Sequence, residues 1–276
     1  MEAAYCLWHR NREREGMMKE KKGMVQSGAA ETISRSLAGW GYEQPCLIGT
    51  GAFAQVYRVT EKKTGRILAC KVSREKELLR RESLVLQRIH HPLFPSFFQW
   101  RENPEWGFLL QEYVEGVVLK ELVEQQGAFE ESQAMEIVVA LAEGVSYLHE
   151  QNPPIIFRDI KPENILVKET GGVKLVDLGS AASDEVSGKA ITGTEGYAPP
   201  EQWRNVEWVG AYSDVYALGK VLLFMLGKQG KSGHLMQVAE ECICEDIVGR
   251  IPDMRCFLRR IRYRNGKYRF QVSVVK

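Results

Sequence analysis

Ile155-Ile156-Phe157-Arg158-Asp159-Ile160-Lys161-Pro162-Glu163-Asn164-Ile165-Leu166-Val167 sets an acid, a base and an amide between two apolar runs. Asp159 follows the first run, separated from it by Arg158 alone. Lys161 stands two places on, and Asn164 three beyond that. Runs of this kind enter a core, so the polar residues between them occupy a loop that the core holds rigidly. Reactive groups are best positioned on such a loop, because the packed flanks fix their rotamers and spacing.

The segments around this loop extend the pattern. Downstream, Gly171-Gly172 makes a turn into the apolar run Val173-Lys174-Leu175-Val176, which ends on Asp177-Leu178-Gly179. Upstream, residues 131–151 carry Ile137, Ala140, Leu141, Val145 and Leu148 at helical spacing. That stripe reads as a core helix, with His149 near its end in a structural role. Further back, residues 47–59 read strand, glycine turn, strand. Gly49 and Gly51 let the backbone approach a phosphate, whose charge the exposed amides of such a turn can hold. Lys71 sits inside the apolar run Ile67-Leu68-Ala69-Cys70-Lys71-Val72, where a charge must be paired or functional. A helix over residues 75–90 follows, with Leu79, Leu84, Leu86 and Ile89 as its apolar positions.

Composition narrows the function classes. The chain has 276 residues, 44% hydrophobic and 26% charged, which suits a folded protein and not a disordered one. A formal net charge of +1 makes no case for nucleic acid, and none is expected as a partner. Seven arginines between Arg250 and Arg269 read as a solvated basic face. Six cysteines, at positions 6, 46, 70, 242, 244 and 256, lack a framework spacing, which favours a reducing compartment. No apolar run reaches the roughly 18 residues of a membrane span. The charged run from Arg10 to Lys22 is followed by no apolar core of a signal peptide, so the chain reads as cytoplasmic.

In order and wording, these segments resemble the Hanks-type serine/threonine protein kinases over residues 42–276. Phe157-Arg158-Asp159-Ile160-Lys161-Pro162-Glu163-Asn164 is similar to the family's H-R-D-x-K-x-x-N loop. Gly49-Thr50-Gly51-Ala52-Phe53-Ala54-Gln55-Val56 is similar to G-x-G-x-x-G-x-V, with Ala54 for the third glycine. Leu68-Ala69-Cys70-Lys71 resembles V-A-I-K, Asp177-Leu178-Gly179 resembles D-F-G, and Ala198-Pro199-Pro200-Glu201 resembles the A-P-E region. The Phe-Arg-Asp wording and Gly196-Tyr197-Ala198-Pro199-Pro200-Glu201 look bacterial.

The resemblance implies an α+β, bilobal kinase-like fold: a small β-rich N-lobe over about 42–111, a hinge at 112–116 and a larger, mainly helical C-lobe over 117–276. Residues 1–41 are then a weakly structured extension, and the last helix of such domains looks truncated at Lys276. The implied activity is transfer of the γ-phosphoryl group of ATP to Ser/Thr hydroxyls of proteins. The alternative is a catalytically weak pseudokinase acting as an ATP-binding scaffold. Asp159 would orient the acceptor hydroxyl and take its proton, Lys161 would steady the transferring phosphate, and Thr194 would bridge the two. Asn164 and Asp177 would bind Mg²⁺, or Mn²⁺ in its place. Gly49, Gly51, Val56 and Ala69 would border the nucleotide, Lys71 paired to Glu82 would hold its phosphates, and Glu112 and Val114 would meet its adenine, with Gln111 controlling access behind.

Several secondary expectations follow from the same resemblance. Asp214 would hold the catalytic-loop backbone, and Glu201 would pair with Arg269. Phe157, in place of the family's His, would keep its packing and lose a hydrogen bond. Arg158 would receive a phosphate on the activation segment, with Thr192 and Ser187 the favoured autophosphorylation sites and a transient homodimer their setting. At Ala54, a left-handed backbone would cost about 1 kcal/mol, whereas any other conformation would mainly stiffen the loop.

Overall fold

A computed structural model describes residues 27–182, 193–204, 209–227 and 233–263. The chain divides into two compact units. One runs to Arg80 and takes in Phe98–Tyr113; the other comprises Arg81–Phe97 and the chain from Val114.

The first unit is a five-stranded sheet of order β1-β2-β3-β5-β4. Its strands are β1 (Tyr42–Thr50), β2 (Gln55–Glu61), β3 (Ile67–Ser73), β4 (Phe97–Glu102) and β5 (Gly107–Glu112). Val56 pairs with Lys71, and Lys71 with Leu109; Tyr57 pairs with Cys70, and Cys70 with Leu110. Directly paired residues share a face and successive residues alternate. The sheet therefore has one face of Tyr57, Val59, Leu68, Cys70, Val72, Phe108 and Leu110, and an opposite face carrying Val56, Ala69, Lys71 and Gln111.

The first of these faces is covered. Helix α1 (Ser27–Gly39) places Ile33 and Leu37 against it, both 0% exposed, with Ala29 and Trp40 packed at the margin. Trp40 meets Phe108 edge-on at 4.9 Å. Positions 29, 33, 37 and 40 recur at helical spacing and so share one stripe. This corrects the reading of residues 1–41 as a weakly structured extension. From Ser27 onward the chain is part of the sheet's core, because an amphipathic stripe buries apolar area that the sheet alone would expose to water. The stripe escapes notice in the sequence because two large apolar residues stand among Ser, Gly, Ala and charged neighbours.

Helix α2 (Lys76–Arg88) runs on past Arg80 into the second unit. Leu79, Glu82, Ser83, Val85, Leu86 and Ile89 are buried, while Leu84 is 46% exposed. The expected apolar position at Leu84 is thus corrected to Val85: at 100° per residue, Leu84 lies well off the stripe set by Leu79, Leu86 and Ile89.

The second unit is mainly helical. It holds α3 (Leu119–Gln126), α4 (Glu131–His149), α5 (Pro200–Arg204), α6 (Ala211–Leu226), α7 (His234–Cys242) and α8 (Met254–Tyr263). A small sheet of β6 (Val117–Val118), β7 (Ile165–Val167) and β8 (Val173–Leu175) joins them, with antiparallel pairing throughout. The core of α4 is Ala134, Ile137, Val138, Leu141, Ala142, Val145 and Leu148, all buried. Helix α6 is buried over most of its length, and α7 approaches it so closely that a Cβ on Gly219 would lie 2.5 Å from that of Cys242.

Arginines of the basic stretch stitch α8 to its neighbours. Arg255 pairs with Glu150 at 2.9 Å, Arg262 with Glu143 at 2.6 Å and Arg260 with Glu241 at 2.5 Å. The β-rich and mainly helical parts expected of the fold are both present. Among the described residues, no helix is long and apolar enough to cross a membrane.

Candidate active site

In the second unit the polar residues of the loop before β7 close into a ring. Thr194 Oγ1 donates to Asp159 Oδ1 at 2.7 Å, Lys161 Nζ donates to Thr194 Oγ1 at 2.8 Å, and Lys161 Nζ pairs with Asp159 Oδ2 at 2.7 Å. Asn164 Nδ2 donates to the Asp159 carbonyl at 2.9 Å and to its Oδ2 at 3.2 Å. Charge-assisted bonds of this kind fix an orientation as well as a charge. Asp159 and Lys161 keep 11% and 20% of their side-chain surface exposed, so both can be reached from solvent.

The backbone beneath is held from several sides. Asp214, fully buried near the start of α6, accepts the Phe157 amide at Oδ2 and the Arg158 amide at Oδ1, each at 2.8 Å. His149 Nε2 lies 2.8 Å from the same Oδ2, while its Nδ1 is buried with no hydrogen-bond partner among the described residues. Phe157 is fully buried and stacks near Phe94, with ring centroids 6.5 Å apart. Arg158 has φ 68°, a left-handed conformation for a non-glycine residue, and such strain persists only where its surroundings over-determine it. Its guanidinium Nε donates to the Ser180 carbonyl at 2.6 Å. Burial draws that guanidinium below its ordinary pKa, against the opposing pull of the Asp214 charge.

Asp177 reaches the same end of the hairpin as Asn164. In the β7–β8 pair, Ile165 faces Leu175, and the Val176 amide donates to the Asn164 carbonyl at 2.8 Å. An antiparallel hairpin thus brings together two residues 13 positions apart in sequence. Asp177 has φ 70° and accepts the Gly179 amide at 3.2 Å; Glu82, 4% exposed on α2, accepts the Leu178 amide at 3.2 Å. Asn164 commits its side-chain Nδ2 to Asp159, which leaves its side-chain Oδ1 for a cation. With the Asp177 carboxylate this is an all-oxygen donor pair that fits a hard divalent ion. Among the described residues there is no group of three or more His, Cys, Asp or Glu side chains able to hold a metal.

In the first unit, Val56, Ala69 and Lys71 lie on the sheet face opposite α1. Lys71 is 6% exposed and Ala69 7%. Gly49 pairs with Val56, and the Gly51 amide donates to the Ala54 carbonyl at 2.8 Å. A Cβ on Gly49 or Gly51 would meet nothing closer than 3.9 Å and 3.6 Å respectively, and neither residue has positive φ. The fold itself does not demand glycine at these positions, as befits a backbone left bare for a ligand. Ala54 is also free of positive φ, so the cost of a left-handed alanine does not arise. The loop is pinned by Ser73, whose hydroxyl donates to the Phe53 carbonyl at 2.5 Å and accepts the Glu75 amide at 3.1 Å. Glu112 ends β5 opposite Leu68, Val114 begins the longer segment of the second unit, and Gln111 is 4% exposed with a buried Oε1 that has no hydrogen-bond partner among the described residues.

Three features escaped the sequence reading. The expected partner of Glu201, Arg269, lies outside the described residues. Glu201 pairs with Arg250, with NH1 to Oε1 at 2.6 Å and NH2 to Oε2 at 3.1 Å. Arg250 is selected because its other donors meet the Cys244, Tyr212 and Glu245 carbonyls while its guanidinium lies 5.0 Å from the Tyr216 ring centroid. Lys120 pairs with Glu163 at 2.9 Å, beside Tyr197, whose hydroxyl is pushed up to about 12 by burial and by the Glu163 charge. Gln202, 2% exposed, donates to the Arg158 carbonyl at 2.8 Å. No spacing rule separates these residues from their polar neighbours. Ser183, Ser187 and Thr192 lie outside the described residues.

Residues 42–247 match the family described as protein kinase domain. A probable serine/threonine-protein kinase of Corynebacterium efficiens is 34% identical over 199 residues, covering 66% of this chain and 30% of that protein. A receptor-like kinase of Arabidopsis thaliana is 32% identical, covering 67% of this chain and 36% of its own. The serine/threonine-protein kinase PknB of Mycobacterium tuberculosis is 29% identical, covering 84% and 41%. The chain thus spans 30–41% of the length of these relatives. It belongs to the Hanks-type serine/threonine protein kinase family.

Proposed function

We propose that this chain transfers the γ-phosphoryl group of Mg-ATP to serine and threonine hydroxyls of proteins. The observation that carries the reading is the closed ring of Asp159, Lys161 and Thr194. Phosphoryl transfer needs alignment and charge neutralisation more than covalent help from the protein. Asp159, held at both carboxylate oxygens, orients the acceptor hydroxyl and receives its proton. Lys161 offsets negative charge on the transferring group. Thr194 keeps the two at fixed separation and leaves room for a short aliphatic hydroxyl, which favours Ser and Thr over Tyr.

Mg²⁺, the divalent ion we assign to Asn164 and Asp177, supplies charge neutralisation at the phosphates. Glu82 anchors the turn that carries Asp177. Lys71 is the residue for the α- and β-phosphates, Val56 and Ala69 border the base, and the backbone at Glu112 and Val114 meets its edge. Autophosphorylation at Thr192 or Ser187 within a transient homodimer, read out through Arg158, belongs to the same proposal. So does a cytoplasmic location, on the scattered cysteines of the sequence.

The test is transfer of label from γ-labelled ATP with Mg²⁺ to a generic basic protein and to the chain itself. Label on Ser or Thr should fall by about 10²–10⁴-fold in Asp159→Asn, the range typical of a general base. Equal labelling by the two proteins would sink the reading.

A further inference from the structure

We propose that Gln202 is a positioning residue for phosphoryl transfer, setting Asp159 against Thr194 through the peptide that precedes Asp159. The inference rests on the role assigned to Asp159 above. Gln202 Nε2 donates to the Arg158 carbonyl at 2.8 Å, and that oxygen belongs to the same planar peptide as the Asp159 amide. Asp214 holds the peptide groups before Arg158 through the amides of Phe157 and Arg158. Gln202 holds the one after it. Between these two anchors Arg158 adopts its left-handed φ of 68°, and the direction in which the chain leaves that residue decides where the Asp159 carboxylate points.

The same amide lies against the other half of the ring. A Cβ built on Gly193 would sit 2.6 Å from Gln202 Nε2, closer than any real contact, so only a bare backbone passes there. Gly193 immediately precedes Thr194, whose hydroxyl donates to Asp159 Oδ1 at 2.7 Å. One buried side chain therefore touches the backbone next to both partners of that bond. Its own place is firm, because the Gln202 backbone N–H donates to the Pro199 carbonyl at 3.1 Å and the preceding residue, Glu201, is locked by Arg250. A misplacement of about 1 Å in a reacting group can lower a rate by as much as a hundredfold.

The experiment compares wild type, Gln202→Met, Gly193→Ala and Asp159→Asn for label transfer from Mg-ATP to the basic acceptor, with kcat, the KM for ATP and Tm measured on each. Methionine keeps the volume and loses the donor; alanine drives a methyl group into the amide. Gln202→Met should lower kcat by about ten- to a hundredfold while the KM for ATP stays within twofold and Tm within a few degrees. Gly193→Ala should lower kcat as well, but with a fall in Tm, because its methyl also meets the Ala198 Cβ at 2.7 Å and its backbone has φ 148°. A wild-type kcat in Gln202→Met, or a loss matched by a rise in KM or a collapse of Tm, would overturn the positioning role. If Asp159→Asn itself retained full transfer, the reading of the site would fall, and this proposal with it.

Discussion

Arg250→Met removes a guanidinium that is 0% exposed and leaves the Glu201 carboxylate, 3% exposed, with the Ser213 hydroxyl as its remaining donor among the bonds described. A buried charge deprived of its partner cannot regain its lost hydration, and such losses cost about 3–5 kcal/mol. In a chain of this size, 1 kcal/mol moves Tm by about 2–4 °C, so a fall of about 6–20 °C is expected. Arg262→Met supplies the control. That pair is half exposed on both sides, and surface pairs contribute under about 1 kcal/mol. Thermal unfolding followed by circular dichroism measures both variants. Combining Arg250→Met with Glu201→Met should recover more than half of the loss, because an apolar replacement of a buried pair leaves no charge stranded. An Arg250→Met protein no less stable than Arg262→Met, or a double variant whose loss equals the sum of the singles, would refute the reasoning.

Two further outcomes are expected. Ile33→Ala and Leu37→Ala should each cost about 2–5 kcal/mol in urea unfolding, as fully buried core positions do, although both lie upstream of the stretch that matches the family; a change of a few tenths would return α1 to the status of a loose extension. The hydrogen bond from Arg260 holds the Glu241 carboxyl below its ordinary value, against the opposing effect of burial. A carboxyl lowered in the folded state stabilises above its unfolded pKa of about 4.3, and that contribution is lost as pH falls through the folded value. Between pH 6 and 3, the wild-type Tm should drop more steeply than that of Arg260→Met, and parallel curves would count against it.

The residues of the candidate site were legible in the sequence because each sits in a short segment whose own chemistry is unusual. An acid, a base and an amide between two apolar runs, or a lysine inside a buried strand, break local rules and so stand out. Glu82 and Asp177 could be placed in the same way, by register within an element. Arg250, Gln202 and Lys120 could not. Each is an ordinary polar residue among others, and its partner lies 44 positions away for Gln202, 49 for Arg250, and on a different element for Lys120. The helix α1 was missed for another reason: two large apolar residues in thirteen carry little periodic signal until a sheet face is there to receive them.

By itself, the sequence determined the β-rich and helical parts and the identity of the residues that bear charge at the candidate site. These follow from patterns shorter than a helix or a hairpin, where side-chain chemistry and backbone preference act locally. Only the tertiary structure decided that Asn164 and Asp177 share one end of a hairpin, that Thr194 closes the ring with Asp159 and Lys161, and that Arg250 is the partner of Glu201. Each of these depends on which distant backbone arrives beside a buried polar group. Burial makes an unsatisfied donor or charge costly, and the fold selects the partner by geometry rather than by position in the chain.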